Sequence, residues 1–161
     1  MHKTHPRVAA ALLSVVTLFL MGCAPPATAP PVAPTVAKQE VVLTIASVGT
    51  ETRFDKPILE APAGSRITVE MKNSTPRGER IMQNWVLVQP GQVEPVLADT
   101  ANESLDTSFI KKGDPRVIAF TFSIVGSQIA AVSFDAPPPG RYPFICTTPR
   151  HETMRGELVI R

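Results

Sequence analysis

Seven consecutive residues constrain the fold most. In Arg66-Ile67-Thr68-Val69-Glu70-Met71-Lys72, the apolar side chains Ile67, Val69 and Met71 alternate with Thr and charged residues. Alternation with period two puts one set of side chains on each face of an extended chain, so this segment predicts a half-buried antiparallel strand. Pro62-Ala63-Gly64 supplies a turn before it, and Lys72-Asn73-Ser74 with Pro76 and Gly78 ends it. Val41, Leu43 and Ile45 alternate with Val42, Thr44 and Ala46 in the same way. Further strands are expected at Asn84–Val88, Arg116–Phe122, Ala130–Phe134, Arg141–Cys146 and Glu157–Arg161, with Pro137-Pro138-Pro139-Gly140 as a hard break between two of them. Short strands at this spacing predict an all-β sandwich or barrel. The exception is Val93–Lys112, whose polar stretch Asp99–Ser104 predicts a loop or short-helix excursion. No internal repeat is present.

The N-terminal part of the chain has a different character. Met1–Arg7 is basic, and Val8–Leu20 is apolar apart from Ser14 and Thr17. Thirteen helical residues at about 1.5 Å each fall short of a ~30 Å hydrocarbon core, so the run predicts an export signal rather than a lasting membrane span. It ends in Leu20-Met21-Gly22-Cys23, the form of a bacterial lipoprotein cleavage box in which the Cys23 thiol takes a diacylglycerol; the alternative is a plain secretory signal with an incidental Cys. We therefore expect a signal peptide at 1–22, an acylated Cys23 with a Pro/Ala-rich tether at 23–39, and a folded domain at 40–161. Ala24–Lys38 carries repeated Pro, which favours extended chain, and at about 3.1 Å per residue such a tether reaches ~45 Å. The expected location is the outer, periplasmic or extracytoplasmic side of a bacterial membrane, in the cell envelope, with the lipid as anchor.

Charge excludes one class of function. Of the 16 basic residues, Lys3 and Arg7 precede Cys23, so the exported chain would carry 14 basic against 14 acidic side chains. That near-neutral balance does not resemble a nucleic-acid binder. The sequence also shows no Ser-His-Asp set, phosphate loop or recognisable carboxylate pair, so an enzyme is not expected.

The chemistry gathers near the C-terminus. Once Cys23 is acylated, Cys146 is the one remaining thiol, and a single Cys forms no internal disulfide. Alone it would read as a small, buried, inert residue. It is followed at once by Thr147-Thr148-Pro149-Arg150-His151-Glu152-Thr153-Met154, so thiol, imidazole and thioether fall within nine residues. Such soft donors with imidazole suit copper. His151 is the only histidine beyond the signal segment.

These residues resemble the azurin and auracyanin branch of the cupredoxins. Cys146-Thr147-x-Pro149-x-His151 is similar to that family's Cys-Thr-Phe-Pro-Gly-His loop, and Met154-Arg155-Gly156-x-Leu158 to its Met-Lys-Gly-x-Leu strand start. Asn84-Trp85-Val86-Leu87, Arg116-Val117-Ile118-Ala119 and Val132-Ser133-Phe134-Asp135 match further segments in the right order. The resemblance implies a cupredoxin-like Greek-key β-sandwich over nearly all of 40–161. It also implies a type 1 blue-copper site for one-electron transfer, with Cys146, His151 and Met154 as metal ligands and Asn84 and Thr147 orienting them; at the remaining ligand position the chain itself offers the Gln83 amide oxygen, with the Met82 sulfur as an alternative ligand.

The sequence departs from the family pattern at four points. Gln83 stands where the family has the first histidine before Asn-Trp-Val-Leu. Only Glu152 and Thr153 separate His151 from Met154, where azurin-like loops have three residues. Arg150 replaces a Gly, and the azurin disulfide has no counterpart. The leading expectation is a membrane-tethered copper protein passing electrons between redox protein partners. The alternatives are a metal-free degenerate cupredoxin acting as an interaction module, and a Cu(I) carrier working with a copper donor or acceptor.

Overall fold

The computed structural model describes residues 37–161; the expected signal peptide, Cys23 and most of the tether lie outside them. Eight strands form two sheets. β1 (Glu40–Ala46), β3 (Arg66–Lys72) and β6 (Ile129–Asp135) make a three-stranded sheet in the order β1-β3-β6. β2 (Ile58–Ala61), β4 (Val86–Val88), β5 (Val117–Phe120), β7 (Gly140–Ile145) and β8 (Arg155–Ile160) make a five-stranded sheet in the order β2-β8-β7-β4-β5. The arrangement is a mixed-sheet, Greek-key-like cupredoxin fold with one short helix.

The alternating segment at 66–72 folds as its pattern dictates. Ile67, Val69 and Met71 are buried, while Arg66, Glu70 and Lys72 face outward. The expectation of a purely antiparallel partner is corrected: β3 runs parallel to β1 and antiparallel to β6. β2, which the sequence reading did not anticipate, pairs in parallel with β8. Ile58-Leu59-Glu60-Ala61 does not alternate in residue type, because the exposed Ile58 is as apolar as the buried Leu59. The boundaries of the further strands, Val88 apart, also shift by one or two residues. β4 begins at Val86 rather than Asn84, and β5 ends at Phe120 rather than Phe122. Beyond both ends the chains stay together through Trp85, whose carbonyl accepts the Thr121 N–H at 2.9 Å, and through a bridge between Gln83 and Ile124.

The expected excursion is present. α1 (Val93–Asp99) is followed by 3₁₀ turns at Thr100–Asn102 and Leu105–Thr107. Its role is to cover the outer face of the five-stranded sheet: Val96 and Ile110 pack on Val86, Val88 and Ile145. That cover explains why all three residues of β4 are buried, where a sheet open on one side would bury only alternate ones. On the inner face, Trp85 lies between Phe134 and Phe144, at ring-centroid distances of 6.0 and 5.8 Å, and Phe54 meets Phe144 edge-on at 5.2 Å. Gly156 is required by this packing, because a Cβ there would stand 2.4 Å from Cζ of Phe144. The Gly of the Met154-Arg155-Gly156 motif thus serves the core.

Candidate functional site

The nine-residue segment from Cys146 to Met154 joins β7 to β8 at one end of the sandwich. Because Ile145 pairs with Arg155, its two ends are held at strand spacing. The Cys146 N–H donates to the Met154 carbonyl at 2.9 Å, the Met154 N–H to the His151 carbonyl at 2.8 Å, and the His151 N–H to the Thr148 carbonyl at 3.1 Å. The loop is therefore curled by its own backbone. Arg150 sits in the left-handed region at φ 69°, where the family pattern has Gly, and its N–H donates to Glu152 Oε1 at 2.9 Å.

Asn84, just ahead of β4, anchors this loop from the neighbouring segment. Its Nδ2 donates to the Ser108 carbonyl and to Thr147 Oγ1, both at 2.8 Å, and its Oδ1 accepts the Thr147 N–H at 2.9 Å. Thr147 Oγ1 donates in turn to the Ser108 carbonyl at 3.2 Å. Asn84 and Thr147 thus meet through two hydrogen bonds. Ser108 was missed. It is left-handed at φ 56°, lies 24 residues from Asn84, and follows a polar stretch with no recognisable pattern. Asn73 was likewise read only as a turn residue. It is fully buried, and its Nδ2 donates to the carbonyls of Ile81 at 2.8 Å and Ile124 at 2.9 Å, pinning the segment that carries Gln83.

Gln83 occupies the interior. Its backbone exchanges hydrogen bonds with Ile124 at 3.0 and 2.9 Å, and its side chain is fully buried with neither Oε1 nor Nε2 hydrogen-bonded. Met82, the next residue back, points the other way, as neighbouring extended residues do. It is half-buried and lines a surface depression of about 420 Å³ together with Arg80, Phe109, Pro149 and His151. Cys146 is fully buried, and its Sγ lies 3.6 Å from His151 Nδ1. Burial pushes the Cys146 thiol above its ordinary value, against the opposing pull of the Asn84 backbone N–H. His151 is half-buried; burial lowers its pKa, Glu152 opposes that, and Arg150 adds to it. Met154 is fully buried and packs as a member of the inner core with Trp85 and Phe144.

This donor set does not fit a blue-copper centre. Such a centre needs two imidazoles and a thiolate in one plane, with a weak axial donor. The described residues contain a single histidine, and Gln83 offers only an amide oxygen, a harder and weaker donor. Among the described residues no group of three or more His, Cys, Asp or Glu side chains stands together to hold a metal ion. The expectation of a copper-binding electron-transfer site with copper as cofactor is therefore overturned. Gln83, Cys146, His151 and Met154 gather at one end of the sandwich, but as three buried core side chains and one half-buried imidazole.

Comparison with known proteins agrees with the fold and sharpens the departure. No family model matches the chain. Auracyanin-A of Chloroflexus aurantiacus is 34% identical over 125 residues, covering 74% of this chain and 74% of that protein. Azurin of Pseudomonas fluorescens biotype C is 31% identical over 114 residues, covering 67% of this chain and 89% of the azurin. The solved structure of auracyanin A, described as a "blue" copper protein, superposes with a TM-score of 0.70 at 30% identity, over 76% of this chain and 99% of that one. The two-sheet sandwich with its Cys-to-Met loop defines a cupredoxin. Within that class, this chain belongs to the azurin and auracyanin family.

Proposed function

We propose that this chain is a cupredoxin-type interaction module that works without copper, docking another protein through its loop end. The observation that carries this reading is Gln83: a buried amide occupies the position of the first imidazole, so the blue copper of the relatives is not carried over to this chain. The loop scaffold around Asn84 and Thr147 is nonetheless retained, which favours a role for the shape and surface of this end.

That surface combines apolar and basic groups. Met82 lies between the depression already described and a second one of about 650 Å³ lined by Arg77, Gly78, Glu79, Arg80 and Val125, among others. Arg77, Arg80 and Arg150 are exposed, and none is held in an ion pair among the described residues. Of the carboxylates at this end, Glu152 accepts the Arg150 N–H while Glu79 is exposed. The partner is a protein presenting apolar groups flanked by carboxylates. In this reading residues 1–22 are a lipoprotein signal, Cys23 carries the lipid, and 23–39 tether the domain at 40–161 on the outer side of a bacterial membrane.

The test has two parts. Cu(II) added to the purified chain gives no intense visible thiolate-to-copper band, whereas Gln83→His, which restores the second imidazole, gains one. A photo-crosslinker placed at Met82 in the native envelope gives a discrete protein adduct that is lost when Arg77, Arg80 and Arg150 are all changed to Glu. An intense band from the unaltered chain, or an adduct indifferent to the charge reversal, rejects this function.

A further inference from the structure

A second feature lies on the flank of the sandwich, where the two sheets do not close on each other. β5 is the outer strand of the five-stranded sheet and β6 the outer strand of the three-stranded sheet. A cleft of about 650 Å³ opens between them, walled by Ile118, Ala119, Phe120, Val132 and Phe134. Ala119 and Phe134 belong to the inner core, so the cleft leads from the surface to core side chains. Phe122 extends the apolar wall outward: it is 72% exposed and meets Phe120 edge-on at a centroid distance of 6.1 Å. A large aromatic left in water at the mouth of an apolar cleft marks a surface that gains by being covered.

The rim is charged at one end. Lys111 and Lys112, on the connection leading into β5, both line the cleft and are exposed. Neither is in an ion pair among the described residues. Two carboxylates share the rim. Asp114 is already taken by Arg116, whose Nε donates to it at 2.8 Å, and Asp106 is exposed. The cleft thus offers an apolar wall with two ammonium groups against one free carboxylate at its end.

We propose that this cleft binds a single amphipathic anion, an acyl chain with a carboxylate head. The tail lies along Ala119, Val132 and Phe134, and the head meets Lys111 and Lys112. The cleft volume falls within the ~300–1,000 Å³ usual for small-molecule sites, which bury most of one ligand behind a few orienting polar groups. A bilayer surface is the poorer match, because the apolar residues line a concavity between strands. The site is separate from the loop end and does not depend on the function assigned there.

Dodecanoate, kept monomeric, titrated into the full chain by calorimetry is the direct test. Trp85, the only tryptophan, stacks on Phe134 at 6.0 Å, so its emission supplies a second readout from the wall of the cleft. The expected result is saturable binding of one dodecanoate per chain with a change in Trp85 emission. Lys111→Glu with Lys112→Glu, both exposed, weakens it tenfold or more while leaving the thermal midpoint in place. Val132→Trp, which fills the cleft, abolishes it. Equal binding of dodecyltrimethylammonium overturns the charge assignment. Binding to vesicles of anionic phospholipid without binding of dodecanoate assigns the face to a membrane instead, and absence of saturable binding by any probe removes the site.

Discussion

Two amide side chains stand next to each other at the loop end, both fully buried. Asn84 makes three hydrogen bonds, two as donor and one as acceptor, and ties the segment leading into β4 to Thr147 and Ser108. Gln83 makes none through its side chain. A buried polar group without a partner costs about 1–3 kcal/mol, whereas a satisfied one contributes. The contrast separates two properties that a cupredoxin normally joins. The shape of the loop is held by Asn84, Thr147 and the loop's own backbone. The ligand function depended on the residue at 83, and there the chain has an amide. Loop shape is thus independent of the donor set.

This contrast can be broken from the Asn84 side first. Asn84→Ala removes three buried hydrogen bonds and leaves the Thr147 N–H without a partner, while the Ser108 carbonyl keeps only the Thr147 hydroxyl, so it should cost about 3 kcal/mol. Urea unfolding of the variant should show a lower midpoint with an unchanged slope. A loss below 1 kcal/mol would mean that the latch is dispensable.

Asp114 tests whether another satisfied buried polar group behaves like Asn84. Its side chain is 3% exposed and pairs with Arg116, which also reaches Asp99. Hydrogen bonding to Arg116 holds the Asp114 carboxyl below the ordinary carboxylate value, against the effect of burial. A carboxyl with a lowered folded pKa adds stability above its unfolded pKa and loses it as pH falls through the folded value. Asp114→Asn should therefore cost about 2 kcal/mol at pH 7. Thermal midpoints followed against pH should converge for the two proteins only in strong acid. A gap that stays constant into acid would contradict the pairing.

Gln83 should respond with the opposite sign. Gln83→Leu keeps much of the volume and removes two unsatisfied polar atoms, so stability should rise by about 1–2 kcal/mol, read as a higher urea midpoint. Destabilisation would show that the amide has a partner the contrast does not include. The smallest effect is expected at Arg150, which holds φ 69° with a full side chain. The left-handed conformation costs a non-glycine residue roughly 1–2 kcal/mol, and glycine's greater freedom in the unfolded chain offsets part of the relief. Arg150→Gly should accordingly raise stability by about 0.5–1 kcal/mol, resolvable as a rise in thermal midpoint.

Much of this end of the molecule was legible before folding. Cys146, His151 and Met154 are close in sequence, and a short loop between adjacent strands keeps sequence neighbours near in space. Asn84 and Thr147 were legible only through the family pattern, since 63 residues separate them. Ser108 was not legible, because its part is played by a backbone carbonyl, which every residue carries. The assignment of copper failed for a related reason. Three soft or nitrogen donors in one loop look like a centre, but coordination also needs a group contributed from another strand, and at 83 that group is an amide.

The sequence by itself determined the alternation of β3, the turn punctuation, the spacing of the Cys-to-Met loop and the presence of Gln83 instead of a second imidazole. These are local properties, set by residue type and by the two-residue period of extended chain. The tertiary structure alone decided that β1 and β3 run parallel, that β2 exists, that Ser108 receives the Asn84 latch and that a cleft stays open between β5 and β6. Each depends on which distant segments meet, and that choice is made by the burial of the whole inner face around Trp85, Phe134 and Phe144 rather than by any one stretch of chain.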